Sequence, residues 1–206
     1  MTSQIETPHA IWVNASVPLL WDVPCSLHHL PLAPYKWPAM PATPAELFAF
    51  LDRLGIAHTT IDHPPLFTVE ESRALRGQIP GGHTKNLFLK AKTGDLFLVV
   101  ALEDARIDLK RLHHPLETGR FSFGSADLLR ESLGVEPGAV TPFAAINDTD
   151  GTVSVVLDAE MMRHETLNYH PLVNTRTTAI GRDGLVRFLE ATGHPPRILA
   201  VSEGAQ

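Results

Sequence analysis

Three short segments place polar side chains where the surrounding chain is apolar. The first is His83-Thr84-Lys85-Asn86-Leu87-Phe88-Leu89-Lys90. A Gly-rich loop leads into it and an apolar run continues it. A lysine at that junction must be paired, put to use or turned to solvent, because burying an unpaired ammonium is costly. Solvent is the commoner fate. The second is Asn168-Tyr169-His170-Pro171-Leu172-Val173-Asn174. Here the plain alternative to a site role is a core His170 satisfied by backbone. The third, Gly138-Ala139-Val140-Thr141-Pro142-Phe143, carries no charge. A glycine and a proline of fixed φ suit close approach of backbone to a ligand, and equally a tight connection.

Better-known signatures are missing. There is no G-x-S-x-G, so a nucleophile elbow is not supported. Gly81-Gly82-His83-Thr84-Lys85 resembles a phosphate loop only briefly, since Asn86 stands where Ser or Thr would bind magnesium. His164-Glu165 lacks the second histidine of a metalloprotease helix. Eight histidines lie after residue 40, none in a zinc-like spacing with Cys or carboxylate, so no metal is expected.

The elements that must hold these segments read as follows. Thr43-Pro44-Ala45-Glu46 caps a helix whose apolar face is Leu47, Phe50, Leu51 and Leu54, with Gly55 at its end. Residues 57–62 form a strand and roughly 69–76 a second helix. Residues 77–84 are a loop by composition. Leu87–Ala91 and Leu96–Leu102 flank Lys92-Thr93-Gly94-Asp95 as a hairpin. Residues 107–112 form a short helix and 120–123 a short strand. Ser125 caps a helix over 126–133 that Gly134 stops, and 134–143 is a loop. Strands follow at 153–157, 166–168, 175–180 and 198–201, with a turn at 161–164 and a helix at 185–191. Helices and strands interleave without a βαβ rhythm. The fold class is therefore α/β (α+β), a mixed central sheet flanked by helices rather than a Rossmann fold.

The chain has 206 residues and a net charge of −6. That balance excludes a polybasic nucleic-acid binder. A single cysteine, Cys25, excludes an internal disulfide framework, and no apolar run approaches the length of a membrane span. A reducing cytoplasmic address is expected, with no membrane partner and a monomer by default. All three Trp and six of 17 Pro fall in the first 39 residues, whereas all nine Phe come later. Residues 1–39 thus read as an irregular extension and 40–206 as the domain. A translation start at Met40, or an arm that docks its tryptophans, are the alternatives. Charge is uneven too: residues 64–130 carry a net of +2.

Taken together with Gly119-Arg120-Phe121-Ser122-Phe123-Gly124, the three segments resemble the YbaK-like aminoacyl-tRNA editing family, which is related to the editing domain inserted in bacterial prolyl-tRNA synthetases. Within it, His83–Lys90 and His170–Asn174 are similar to the freestanding enzyme that deacylates alanine mischarged on proline tRNA. The similarity runs from about Met40 to about Leu199. It implies a single compact YbaK-like editing domain, with no cofactor. Lys85 falls on the family's essential lysine, Asn86 on the adjacent polar position, and Gly138 and Pro142 on its G-x-x-x-P loop. His170 falls on the subgroup's histidine beside the pocket. The implied catalytic residues are Lys85 and His170. The implied substrate-binding residues are Asn86, Gly138 and Pro142.

The chemistry so implied needs no protein nucleophile. The aminoacyl ester is activated, and positioning water while stabilising the oxyanion suffices. The ribose hydroxyl beside the ester is taken to assist. A methyl-sized pocket would exclude a pyrrolidine ring sterically. Val69, Leu87 and Phe143 are candidate walls. The implied partner is the acceptor end of an aminoacylated tRNA, with prolyl-tRNA synthetase a further candidate. Two other readings stay open: a deacylase for another small amino acid such as Cys or Ser, and a non-catalytic module that binds a tRNA end or a synthetase.

Overall fold

The computed structural model describes residues 40–64 and 79–203. The extension 1–39, the helix expected over 69–76 and the candidate wall Val69 lie outside the described residues.

Helix α1 (Pro44–Arg53) starts as its sequence dictates. Thr43 accepts the Glu46 amide through its side chain, and Glu46 reaches back to the Thr43 amide. Gly55, at φ +63°, follows the last turn. Strand β1 (His58–Asp62) comes next. The hairpin is β2 (Gly82–Ala91) and β3 (Leu96–Leu102). Helix α2 is only His113–Leu116, followed by β4 (Phe121–Phe123) and α3 (Ala126–Leu133). Then come β5 (Val153–Asp158), β6 (Thr166–Tyr169), β7 (Arg176–Gly181), α4 (Arg182–Ala191) and β8 (Arg197–Leu199). Pro142–Ile146 and Met161–Arg163 form 3₁₀ turns.

The sheet order is β1-β7-β6-β2-β3-β5-β8, with β4 added to β2. β2–β6, β3–β5 and β5–β8 are parallel, and the other pairs antiparallel. The mixed sheet flanked by helices is the architecture expected from the sequence. β3 is apolar throughout because both its faces are covered. Leu98 and Val100 enter the larger core with α1, α3 and α4. Phe97 and Val99 enter a second cluster under the 107–116 segment.

Three local expectations are corrected. Residues 82–84, expected in a loop, belong to β2, because Gly82 and His83 pair with Leu167 and Asn168 of β6. The helix expected over 107–112 is replaced by turns and α2. The Asp108 side chain takes the Lys110 amide, offering the backbone an alternative to a helix. α4 starts three residues early, at Arg182, where Gly181 supplies no side-chain cap to announce it. No helix among the described residues is long and apolar enough to cross a membrane.

Candidate active site

The site is set by an interrupted edge of β2. One side of β2 pairs continuously with β3 from Thr84 to Lys90. The other side pairs with β6 only at Gly82 and His83, and with β4 only at Leu89–Ala91. Between them, no strand among the described residues runs along Thr84–Leu87. The five residues His83–Leu87 are all half-buried, while Phe88, Leu89 and Ala91 beyond them are buried. The result is a slit in the sheet. Gly81, at φ +109°, turns the chain into it, and a β-carbon there would lie 2.9 Å from the Thr166 carbonyl oxygen.

Successive side chains of a strand leave opposite faces. Lys85 and Asn86 therefore separate at the slit. Lys85 donates its ammonium to the Ala105 carbonyl, on the face of the second cluster. Asn86 donates Nδ2 to the Val140 carbonyl at 2.9 Å, on the opposite face. Its Oδ1 is buried without a hydrogen-bond partner. Thr84 donates Oγ1 to the Asn168 carbonyl at 2.8 Å, which stitches the slit's upper end. Asn168 is a second buried amide whose Oδ1 lacks a partner, although its Nδ2 donates to the Pro80 carbonyl at 3.1 Å.

The 138–142 loop is anchored from below. Thr141 is fully buried and accepts the Phe143 amide, and Pro142 opens a 3₁₀ turn whose five residues are all buried. Phe143 stacks edge-to-face on Tyr169 at 5.8 Å and on Phe188 at 5.4 Å. These contacts weld the loop to β6 and α4. Phe143 thus supports the loop from the core, whereas Leu87, the other wall candidate, is half-buried at the slit. Gly138, at φ +93°, lets the chain turn upward, with the Asn174 amide nitrogen 3.8 Å from where a β-carbon would sit.

That proximity places the loop beside the Asn168–Asn174 segment. His170 is half-buried and accepts no partner at Nδ1. Instead Nδ1–H donates to the Arg176 carbonyl at 2.8 Å, so the neutral ring keeps its lone pair on Nε2. Burial lowers its pKa. The Arg176 hydrogen bond opposes that shift and neighbouring His63 adds to it. The two rings lie 6.0 Å apart, and His63 is itself tied to Thr177 at 2.9 Å. Leu172, between His170 and Asn174, holds φ +67°, an uncommon conformation for a non-glycine residue.

Of the residues singled out in the sequence, Asn86 bonds the loop that Gly138 opens and Pro142 anchors, and Gly138 lies beside Asn174 of the His170–Asn174 loop. Lys85 stands outside that set, at the same slit but on its other face. Sequence reasoning assigned no role to His63, and none to Thr84 or Asn168 beyond their places in the polar segments. The signal available was weak: a polar residue inside an apolar strand at Asn168, and a His-Pro step at His63.

Residues 63–188 match the aminoacyl-tRNA editing domain family. The zebrafish (Danio rerio) prolyl-tRNA synthetase associated domain-containing protein 1 is 41% identical over 157 residues, covering 75% of this chain and 85% of that protein. The prolyl-tRNA editing protein ProX of Acetoanaerobium sticklandii is 36% identical over 149 residues, 72% of this chain and 91% of its own. A solved structure provisionally named a trans-editing enzyme for prolyl tRNA synthetase superposes with a TM-score of 0.60 at 18% identity. It covers 79% of this chain and 99% of that one, and shares the fold. The span from His63 in the slit's flank to Phe188 beneath its loop is the matched span, and the chain belongs to the aminoacyl-tRNA editing domain family.

Proposed function

We propose that this protein is a trans-editing hydrolase that deacylates alanine mischarged on proline tRNA. The observation that carries the reading is the Asn86 amide. It holds the Val140 carbonyl through Nδ2 and leaves a buried acceptor, Oδ1, unpaired at the slit. A buried polar atom without a partner is costly, and a donor from a ligand relieves that cost. The α-ammonium of an aminoacyl ester is such a donor. The names of the relatives, which refer to prolyl-tRNA editing and to prolyl-tRNA synthetase, support proline tRNA as the carrier.

In this reading the ester enters at the open edge of β2, where groups from both faces of the sheet are within reach. Lys85 holds the terminal phosphate or polarises the ester carbonyl as negative charge develops. His170 offers Nε2 as an acceptor to the ribose hydroxyl or the attacking water. The 138–142 loop closes over the side-chain end, and a pocket limited to a methyl group turns proline away by size.

A panel of proline tRNAs charged with Ala, Cys, Ser and Pro tests the substrate. Ala-tRNA is expected to be cleared fastest and Pro-tRNA spared. Lys85→Ala is expected to lower the rate about 100-fold or more with thermal unfolding unchanged. Full activity in the folded variant overturns the role of Lys85. Fastest clearance of the Cys or Ser ester overturns the alanine assignment.

A further inference from the structure

Phe123 is a large aromatic side chain left 63% exposed, at the edge of the sheet beside the slit. It lies abreast of Leu89, and Phe121 lies abreast of Ala91. Alternation along β2 and β4 puts Lys85, Leu87, Leu89, Phe121 and Phe123 on one face. Phe121 is half-buried, packed edge-to-face on Phe97 at 5.3 Å. Phe123, two residues on, is not covered by the second cluster.

Its backbone is nevertheless fixed. The following Gly124 donates its amide to the Phe88 carbonyl at 3.0 Å. A β-carbon on Gly124 would meet the Phe88 ring at 2.4 Å, so only glycine allows this approach. Ser125 then caps α3. An exposed ring on a pinned backbone is a flat platform at a fixed place on the sheet edge.

Cations stand next to it. A cavity of about 360 Å³ is lined by Leu109, Lys110, Arg120 and Phe121. Lys92 is exposed on the adjoining hairpin turn, and Lys90, abreast of Ser122, is exposed on the opposite face; Asp95, Glu117 and Asp127 are exposed acids nearby. Asp95 already accepts the Thr93 hydroxyl. The lining of that cavity holds two cations and no acid, on a chain whose net charge is −6. Four strand residues separate Lys85 from the level of Phe123, about 13 Å, a reach of a couple of nucleotides.

We propose that the open edge of the sheet, from the slit past β4 to Phe123, is the track on which the single-stranded 3′ end of the RNA lies. Phe123 stacks on a nucleobase, and Lys110 with Arg120 at the cavity holds a phosphate of the same strand. An aromatic platform beside a basic groove is how single strands are held without reading sequence. The proposal rests on the reading that an aminoacylated RNA end enters the slit. The negative remainder of the protein confines the contact to this short stretch.

The test uses the full chain and a labelled, uncharged single-stranded RNA carrying the tRNA 3′ sequence, with binding followed by anisotropy. Phe123→Ala is expected to weaken binding about 10-fold, and Phe123→Trp to retain it. Arg120→Gln with Lys110→Gln is expected to weaken binding and flatten its salt dependence. With charged tRNA, the loss in Phe123→Ala falls on KM rather than kcat. Unchanged RNA affinity in a folded Phe123→Ala protein overturns the proposal. So does loss of purified prolyl-tRNA synthetase binding in that variant with RNA binding intact, which would make this a protein interface. RNA binding that depends on Phe123, in a protein that hydrolyses no aminoacyl ester, sinks the hydrolase reading and leaves this one standing.

Discussion

His170 donates Nδ1–H to the Arg176 carbonyl, and burial holds its pKa below the ordinary histidine value of 6.5. The unfolded chain therefore takes up this proton at a higher pH than the folded one. Below about pH 6.5 the unfolded state binds more protons, and stability falls as the pH drops through that window. Above it the contribution is fully present. Wild type is expected to lose more thermal stability than His170→Gln on acidification from about pH 7.5 to 5.5. Equal losses in the two proteins would show that His170 titrates as an ordinary histidine. The same neutrality at pH 7 keeps Nε2 available as an acceptor. Lys85 and Asn86 make a contrasting residue-scale point. They are neighbours in sequence, but pleating sends one to Ala105 and the other to Val140.

The 138–146 segment shows how one element can be stiff below and adaptable above. Its lower part is buried from Thr141 to Ile146 and locked by Phe143 against Tyr169. Its upper part turns on Gly138, whose φ of +93° L-residues rarely adopt. Space is not the constraint there, because a β-carbon would meet only the Asn174 amide at 3.8 Å. The cost of Gly138→Ala is therefore backbone strain, about 1–2 kcal/mol. Chemical denaturation is expected to register that loss. Deacylation is expected to fall as well, since the Val140 carbonyl shifts against Asn86. A variant with wild-type stability would mean the loop has another conformation open to it.

Across the whole molecule, a buried carboxylate–imidazole hydrogen bond closes the larger core where the chain returns from α4. Asp148 accepts His194 Nε2 at 3.0 Å, with both side chains almost fully buried. It also accepts the Thr152 amide and hydroxyl and the Val153 amide. Burial alone would raise the pKa of Asp148, but the bonds from His194, Thr152 and Val153 outweigh it and hold it below 3.8. The stability this carboxylate contributes is present above that value and lost as the pH falls through the range beneath it. Asp148→Ala leaves three donors and an imidazole without their acceptor, and is expected to cost about 3 kcal/mol. A denaturation midpoint that stays put would mean water replaces the carboxylate without penalty. The charge distribution acts on this scale as well. A net of −6 restricts any RNA contact to the locally basic middle of the chain.

Short-range chemistry was legible in the residues themselves. The Thr43–Glu46 capping box, the Ser125 cap with Gly134 and the Lys92–Asp95 hairpin turn all follow from contacts spanning a few residues, and the interleaving of the elements pointed to a mixed sheet. The three polar segments could be picked out for the same reason, as polar groups inside apolar runs. Their arrangement could not. The slit exists because β2 borrows β6 at one end and β4 at the other, and β6 lies more than eighty residues further along the chain. The unpaired Oδ1 of Asn86, the shared environment of His63 and His170, and the bare ring of Phe123 are consequences of those distant pairings. Local propensity carries no information about which strand edge is left open. That is settled only when the sheet closes around its core and the remaining hydrogen-bonding edges find, or fail to find, a partner.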